Sequence, residues 1–130
     1  MTDFVFAGGT MPDDKLTQLL NRFAAAARVH HEALEAMNEE RANAHARMID
    51  GLHRSISSMG DLGQDAMLKL VDNGNPVVAG MAAVYSIRYD SGRCLAVLRR
   101  VALEPGLLGF RAGVAVERWE SGEWQGPGGD

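Results

Sequence analysis

The sequence has one cysteine, few aromatic residues, no long apolar run and no excess of positive charge. Each shortage excludes something. A lone Cys94 cannot form an intrachain disulfide, and it gives no sign of an oxidising compartment. Its apolar neighbours Leu95, Ala96, Val97 and Leu98 mark it as a buried thiol that behaves as a small hydrophobe. Aromatics make up 6% of the 130 residues, while Ala, Leu, Val and Met abound, which favours close helix packing over a β-sandwich core. No stretch approaches the roughly 18 to 20 apolar residues of a membrane span. Met1 to Met11 lacks the basic and apolar blocks of a secretion signal. A cytoplasmic protein away from membranes is therefore expected. The formal charge of −4 opposes non-specific nucleic-acid binding, which needs a basic face.

What the chain does have is a tandem repeat. Gly63 to Gly92 aligns without a gap onto Arg93 to Gly122, a shift of 30 residues. Eight positions are identical, among them Leu68/Leu98, Val71/Val101, Ala82/Ala112 and Arg88/Arg118. A fixed period in this range is a signature of stacked helical hairpins, none of which can bury its apolar face alone.

The rest of the chain follows the helical period. Residues 1–12 read as a flexible arm and residues 123–130 as a disordered tail. Between them lies one helical domain, 13–122, divided into a long hairpin (13–59) and two repeat hairpins (60–92 and 93–122). Leu16, Leu20, Phe23, Ala27, Leu34 and Met37 recur every three or four residues, a helix of about six turns interrupted only by His30 and His31. Asn38 is the break, or the cap of the next helix. Glu39 to Ser58 forms the second helix, with His45, Ile49, Leu52, Ile56 and Met59 on its apolar face. Gly51 within it suggests close packing or a bend. Asp61 caps a third helix to about Val71, and Pro76 opens a fourth that runs to about Tyr89. Ser91 caps a fifth, ended by Glu104, Pro105 and Gly106. A sixth carries Leu108, Ala112, Ala115 and Trp119.

Met67 to Ala83 has the order of a HEAT or armadillo-type repeat: a short helix, an Asp/Asn/Pro turn (Asp72, Asn73, Asn75, Pro76) and an apolar second helix. Ala79 departs from it, since such repeats often carry an arginine there. The second unit departs further, with Pro105-Gly106-Leu107-Leu108 in place of Asn75-Pro76-Val77-Val78. From Leu16 to about Trp119 the chain resembles a family of small bacterial proteins, domain-of-unknown-function family 2019. The likeness rests on Phe23-Ala24-Ala25-Ala26, Ala36-Met37-Asn38, the Asn75-Pro76 turn and the short last hairpin. It implies an all-α, armadillo/HEAT-like α-α superhelix of about six helices in stacked antiparallel hairpins. It implies no activity and no functional residues.

Chemistry-bearing patterns are sparse. His30, His31 and Glu35 share the first helix, and His45, Asp50 and His53 the second. A metal site needs three or four ligands converging at about 2.0–2.2 Å, and no HExxH or Glu-x-x-His pattern supports one. No Gly-x-Ser-x-Gly elbow or phosphate-binding loop occurs. The expectation is no catalytic residue, no cofactor and no metal. Arg88-Tyr89 and Arg118-Trp119 repeat near the ends of two equivalent helices. They read either as helix-end arginines on the last carbonyls or as an Arg/aromatic edge of the kind enriched at protein interfaces. The sequence thus points to a non-catalytic protein-interaction module with an unknown protein partner, for instance an inhibitor or immunity-type binder. A metal-binding or enzymatic protein using the histidine-bearing pair is one alternative. A self-associating homodimer is another, joined through Leu107, Phe110 and Trp119.

Overall fold

A computed structural model describes residues 12–126. The fold is all-α. The helices are α1 (Pro12–Glu35), α2 (Glu39–Ser57), α3 (Asp61–Lys69), α4 (Pro76–Ser86), α5 (Ser91–Val101) and α6 (Gly106–Glu120), with a 3-10 turn at Leu70–Asp72 after α3. The repeat reappears in the element starts: α3 and α5 begin at 61 and 91, and α4 and α6 at 76 and 106. The expected arm at 1–12 lies outside the described residues except for Pro12, where α1 starts one residue before the expected Asp13.

The joint between α1 and α2 shows why the chain turns there. Met37 takes the left-handed conformation at φ 57°. The Asn38 N–H then donates to the Ala33 carbonyl at 2.9 Å, and the Met37 N–H to Leu34 at 3.0 Å. This closing pattern usually calls for glycine. Met37 is consequently 90% exposed and leaves the apolar stripe predicted for it. Asn38 caps α2, its side-chain oxygen accepting from the Arg41 N–H at 3.0 Å. Within α2, Ala42, Ile49, Leu52 and Ile56 are buried. His45 is half-exposed, with its Nδ1–H donating to the Arg41 carbonyl at 3.0 Å. Gly51 does not break α2 and does not pack closely, since an added Cβ would first meet Arg54 at 3.9 Å.

Two expected caps move by one residue. Gly60, with φ 72°, precedes α3 and supplies no side-chain bond, so Asp61 is the first helical residue. Asp90, not Ser91, caps α5, accepting from the Arg93 N–H at 3.1 Å. The fourth helix ends at Ser86 rather than Tyr89. Asn75 caps it, accepting from the Val77 N–H at 2.9 Å, with Pro76 in the first turn as expected.

The helix α4 is the hub. It contacts α1, α3, α5 and α6, and Val78, Ala79, Ala82 and Ala83 are buried on it. The true close approaches lie at two glycines. A Cβ on Gly63 would sit 1.9 Å from the Ile56 carbonyl oxygen, and one on Gly109 1.8 Å from that of Glu104. Neither site tolerates a side chain without backbone movement. The tail after α6 turns at Gly122 (φ 80°). Trp124, within the segment expected to be disordered, then stands edge-on to Trp119 at 5.9 Å. Residues 127–130 lie outside the described part. No helix among the described residues is long and apolar enough to cross a membrane.

Candidate functional site: a trough between α4 and α6

Helices α4 and α6 meet only lightly, while each packs closely on α5. The space left between them forms a trough. Its enclosed end is a cleft of about 330 Å³ bounded also by α1 and α2. Its open end is a shallower depression of about 480 Å³ reaching Trp124. Val84 and Arg111 line both, so the two are adjacent.

The cleft walls are mostly apolar, from residues such as Ile49, Met81, Val84, Leu98 and Leu108. Against them stand His30, His31, Asp50, Tyr85 and Arg111. His30 continues the buried stripe of α1, one turn beyond Ala26 and Ala27, rather than interrupting it; it is only 7% exposed. Its Nδ1 has no hydrogen-bond partner among the described residues. Burial, with Arg111 and two other histidines nearby, holds its pKa below the ordinary histidine value, which keeps it neutral at pH 7. His31 pairs through Nε2 with Glu35 at 3.2 Å, and its Nδ1 is also unpartnered. The Tyr85 hydroxyl donates to the Asp50 carboxylate and ties α4 to α2. Burial and that bond push the Tyr85 pKa well above its usual value. The Tyr85 ring meets Phe23 edge-on at 5.6 Å, which fixes its position against α1. Arg111 is exposed at the rim, and partial desolvation presses its pKa down. Neither Arg111 nor Arg118 has an ion-pair partner among the described residues.

The four residues of the Arg/aromatic pattern divide. The Arg88 guanidinium carbon lies 6.0 Å from the Trp119 ring centre, a cation–π contact between the two repeats. Tyr89 donates to Asp65 and is held by it, with a pKa pushed up to about 12. Arg88 and Tyr89 line a separate depression of about 230 Å³ with His53, Ser57 and Ser86. Arg118 instead lines the open end of the trough. Arg88 also stands beyond the end of α4, whereas Arg118 lies inside the last turn of α6.

The histidines separate as well. His30 and His31 face the trough, and His53 faces the other depression. Among the described residues no group of three or more His, Cys, Asp or Glu could hold a metal ion. His53 Nε2 is 3.2 Å from the Ser57 hydroxyl, the spacing of a base and a nucleophile. Among the described residues no carboxylate bonds its other nitrogen, and the nearby Asp50 accepts from Tyr85. The Tyr85 ring lies 4.7 Å from the His53 ring. Cys94 is buried, and burial pushes its thiol up to about 12, which removes it as a nucleophile at neutral pH.

Sequence reasoning missed Arg111. Its signal was available: it is the one charged residue between Leu107 and Val116, in an otherwise apolar and glycine-rich helix. A scan against protein-family models and searches of curated proteins and of solved structures each returned no match to this chain.

Proposed function

We propose that the protein is a non-catalytic protein-interaction module, an armadillo/HEAT-like superhelical stack whose trough between α4 and α6 receives an extended partner segment. The single observation behind this reading is that the cleft and the open depression lie side by side along α4 and α6, sharing Val84 and Arg111 in their walls. Stacked hairpins use such elongated surfaces for binding. The chain is acidic overall, at −4. The trough is not: Arg111 and Arg118 stand along it without carboxylate partners among the described residues. Charge complementarity selects a segment that places acidic side chains beside apolar ones. An inhibitor or immunity-type role in the cytoplasm fits this reading, as does kinship with the small bacterial family that the sequence resembles. An enzymatic or metal-binding role has less behind it, since His53–Ser57 lacks an orienting carboxylate and the histidines divide between two depressions.

Selection of displayed random peptides on the immobilised protein tests the reading. Acidic–apolar peptides should be enriched, and Arg111→Gln with Arg118→Gln should weaken them at least tenfold. Peptides of no common charge, or peptides indifferent to both substitutions, would sink it.

A second reading, self-association, is favoured by Phe110. It is 70% exposed and occupies the position equivalent to Gly80, where α4 packs against Val101 of the next hairpin. Leu103 and Leu107 are exposed nearby in sequence. Sedimentation of the wild type and of Phe110→Glu decides it. A dimer dissociated by the substitution supports this reading, and a monomer at all concentrations removes it.

A further inference from the structure

The enclosed end of the trough has features that a protein-docking surface does not require. It is lined by α1, α2, α4, α5 and α6 and holds about 330 Å³, at the lower end of ordinary small-ligand sites of roughly 300–1,000 Å³. Its walls come mainly from aliphatic side chains, and its polar groups are few and placed together. Three of them matter. Arg111 brings a positive charge to the rim without a described counter-ion. His30, more than nine-tenths buried, lines the same space, and its Nδ1 has no partner among the described residues. His31 adds a second unpartnered Nδ1. A buried polar atom without a partner carries a desolvation cost, which a ligand atom that bonds it would offset. Asp50 lines the same cleft and accepts from the Tyr85 hydroxyl, and it makes no ion pair with Arg111 among the described residues.

We infer that this cleft is a binding site for a carboxylate attached to a compact apolar group. Arg111 takes the carboxylate, the Nδ1–H tautomer of His30 donates to it, and the aliphatic walls cover the apolar portion. A neutral imidazole is suited to this role, since it can donate without the cost of a buried charge. A cationic or uncharged head group of the same size would leave Arg111 without its counter-ion and is selected against. The same chemistry has two sources: a free aliphatic acid, or the C-terminal residue of a peptide chain. The inference concerns the enclosed end alone and stands whether or not a partner lies along the rest of the trough.

Titration calorimetry of the full chain with hexanoate, octanoate and decanoate tests it, with octanol and octylamine as matched probes. One equivalent of at least one acid should bind at least tenfold more tightly than the alcohol or amine of its length. Arg111→Gln should weaken it at least tenfold, whereas Arg88→Gln, which removes a charge outside the cleft, should change it less than twofold. Ala46→Leu should block binding by filling the cleft, and the melting temperature of each variant confirms that it folds. A short peptide ending in leucine and its amidated form distinguish the sources. Tighter binding of the free-ended peptide alone assigns a chain end, and binding of the fatty acid alone assigns a small molecule. If no acid and no free-ended peptide binds, or if octanol binds as well as octanoate, or if Arg111→Gln has no effect, the inference is overturned. Acidic peptides selected on the whole trough that still bind would then leave the interaction-module reading standing.

Discussion

The two repeat hairpins share a register and have different fates. In the first, Gly80 lies against Val101 of the following hairpin, and Ile87 is fully buried. Thirty positions on, Phe110 and Glu117 are exposed. The first hairpin is covered by the long α1–α2 pair on one side and by the second hairpin on the other. Within the described residues no further helix follows the second, only the short tail that carries Trp124. The chain records this in composition: α4 is apolar on nearly every side, while α6 alternates Arg111, Glu117 and Arg118 with its buried residues. The same helical period therefore builds a core element in one place and a half-open surface in the other. The trough lies where α6 touches the hub only lightly.

Substitutions at equivalent positions should break this comparison most visibly. Ile87→Ala should cost about 2–5 kcal/mol, the range for emptying a fully buried aliphatic site. Glu117→Ala, its equivalent, should stay within about 0.5 kcal/mol. Urea unfolding of the pair checks both, and equal losses would show that the last hairpin is covered like the first.

Next in size are the glycines. Gly63→Ala should destabilise by about 1–3 kcal/mol because its Cβ meets the Ile56 carbonyl. Gly51→Ala, in open space on α2, should stabilise by about 0.5–1 kcal/mol. Opposite signs in the same denaturation assay are the expected outcome.

A cap comparison is smaller. Asn75 holds the start of α4, whereas Pro105 before α6 makes no side-chain bond. Asn75→Ala should therefore cost about 1 kcal/mol, and Pro105→Ala should lack that term.

The pH dependence draws on both the trough and the second depression. Burial lowers the folded pKa of His30 and of His53. Between that lowered value and the ordinary value of about 6.5, the unfolded chain binds more protons than the native protein. Stability is then fully present above about pH 6.5 and declines as pH falls through this window. His30→Gln should flatten part of the decline, and an unchanged slope would mean that His30 is protonated in the fold.

Much of the fold was legible because helical period and strong breakers agree. Pro76 opens α4 where it was expected, and the Glu104-Pro105-Gly106 break falls between α5 and α6, with Gly106 as the first residue of α6. Caps were less so. Gly60 and Asp61, or Asp90 and Ser91, are adjacent residues that both suit a helix start, and only backbone angles decide between them. The end of α4 was hidden because Ile87, Arg88 and Tyr89 contain no breaker. Met37 was misplaced because its spacing fits the stripe while its backbone closes the helix. The trough was not legible at all. It depends on how lightly α4 and α6 touch, and that distance is set by packing on α5 rather than by either helix's own pattern.

The most direct test maps where a selected acidic–apolar peptide lands, by amide chemical shifts of the labelled protein. Perturbations grouped on Gly80 to Val84 of α4 and Leu108 to Arg118 of α6 are the predicted result. Perturbations grouped instead on α2 and α3, with the α4–α6 trough silent, would contradict the account.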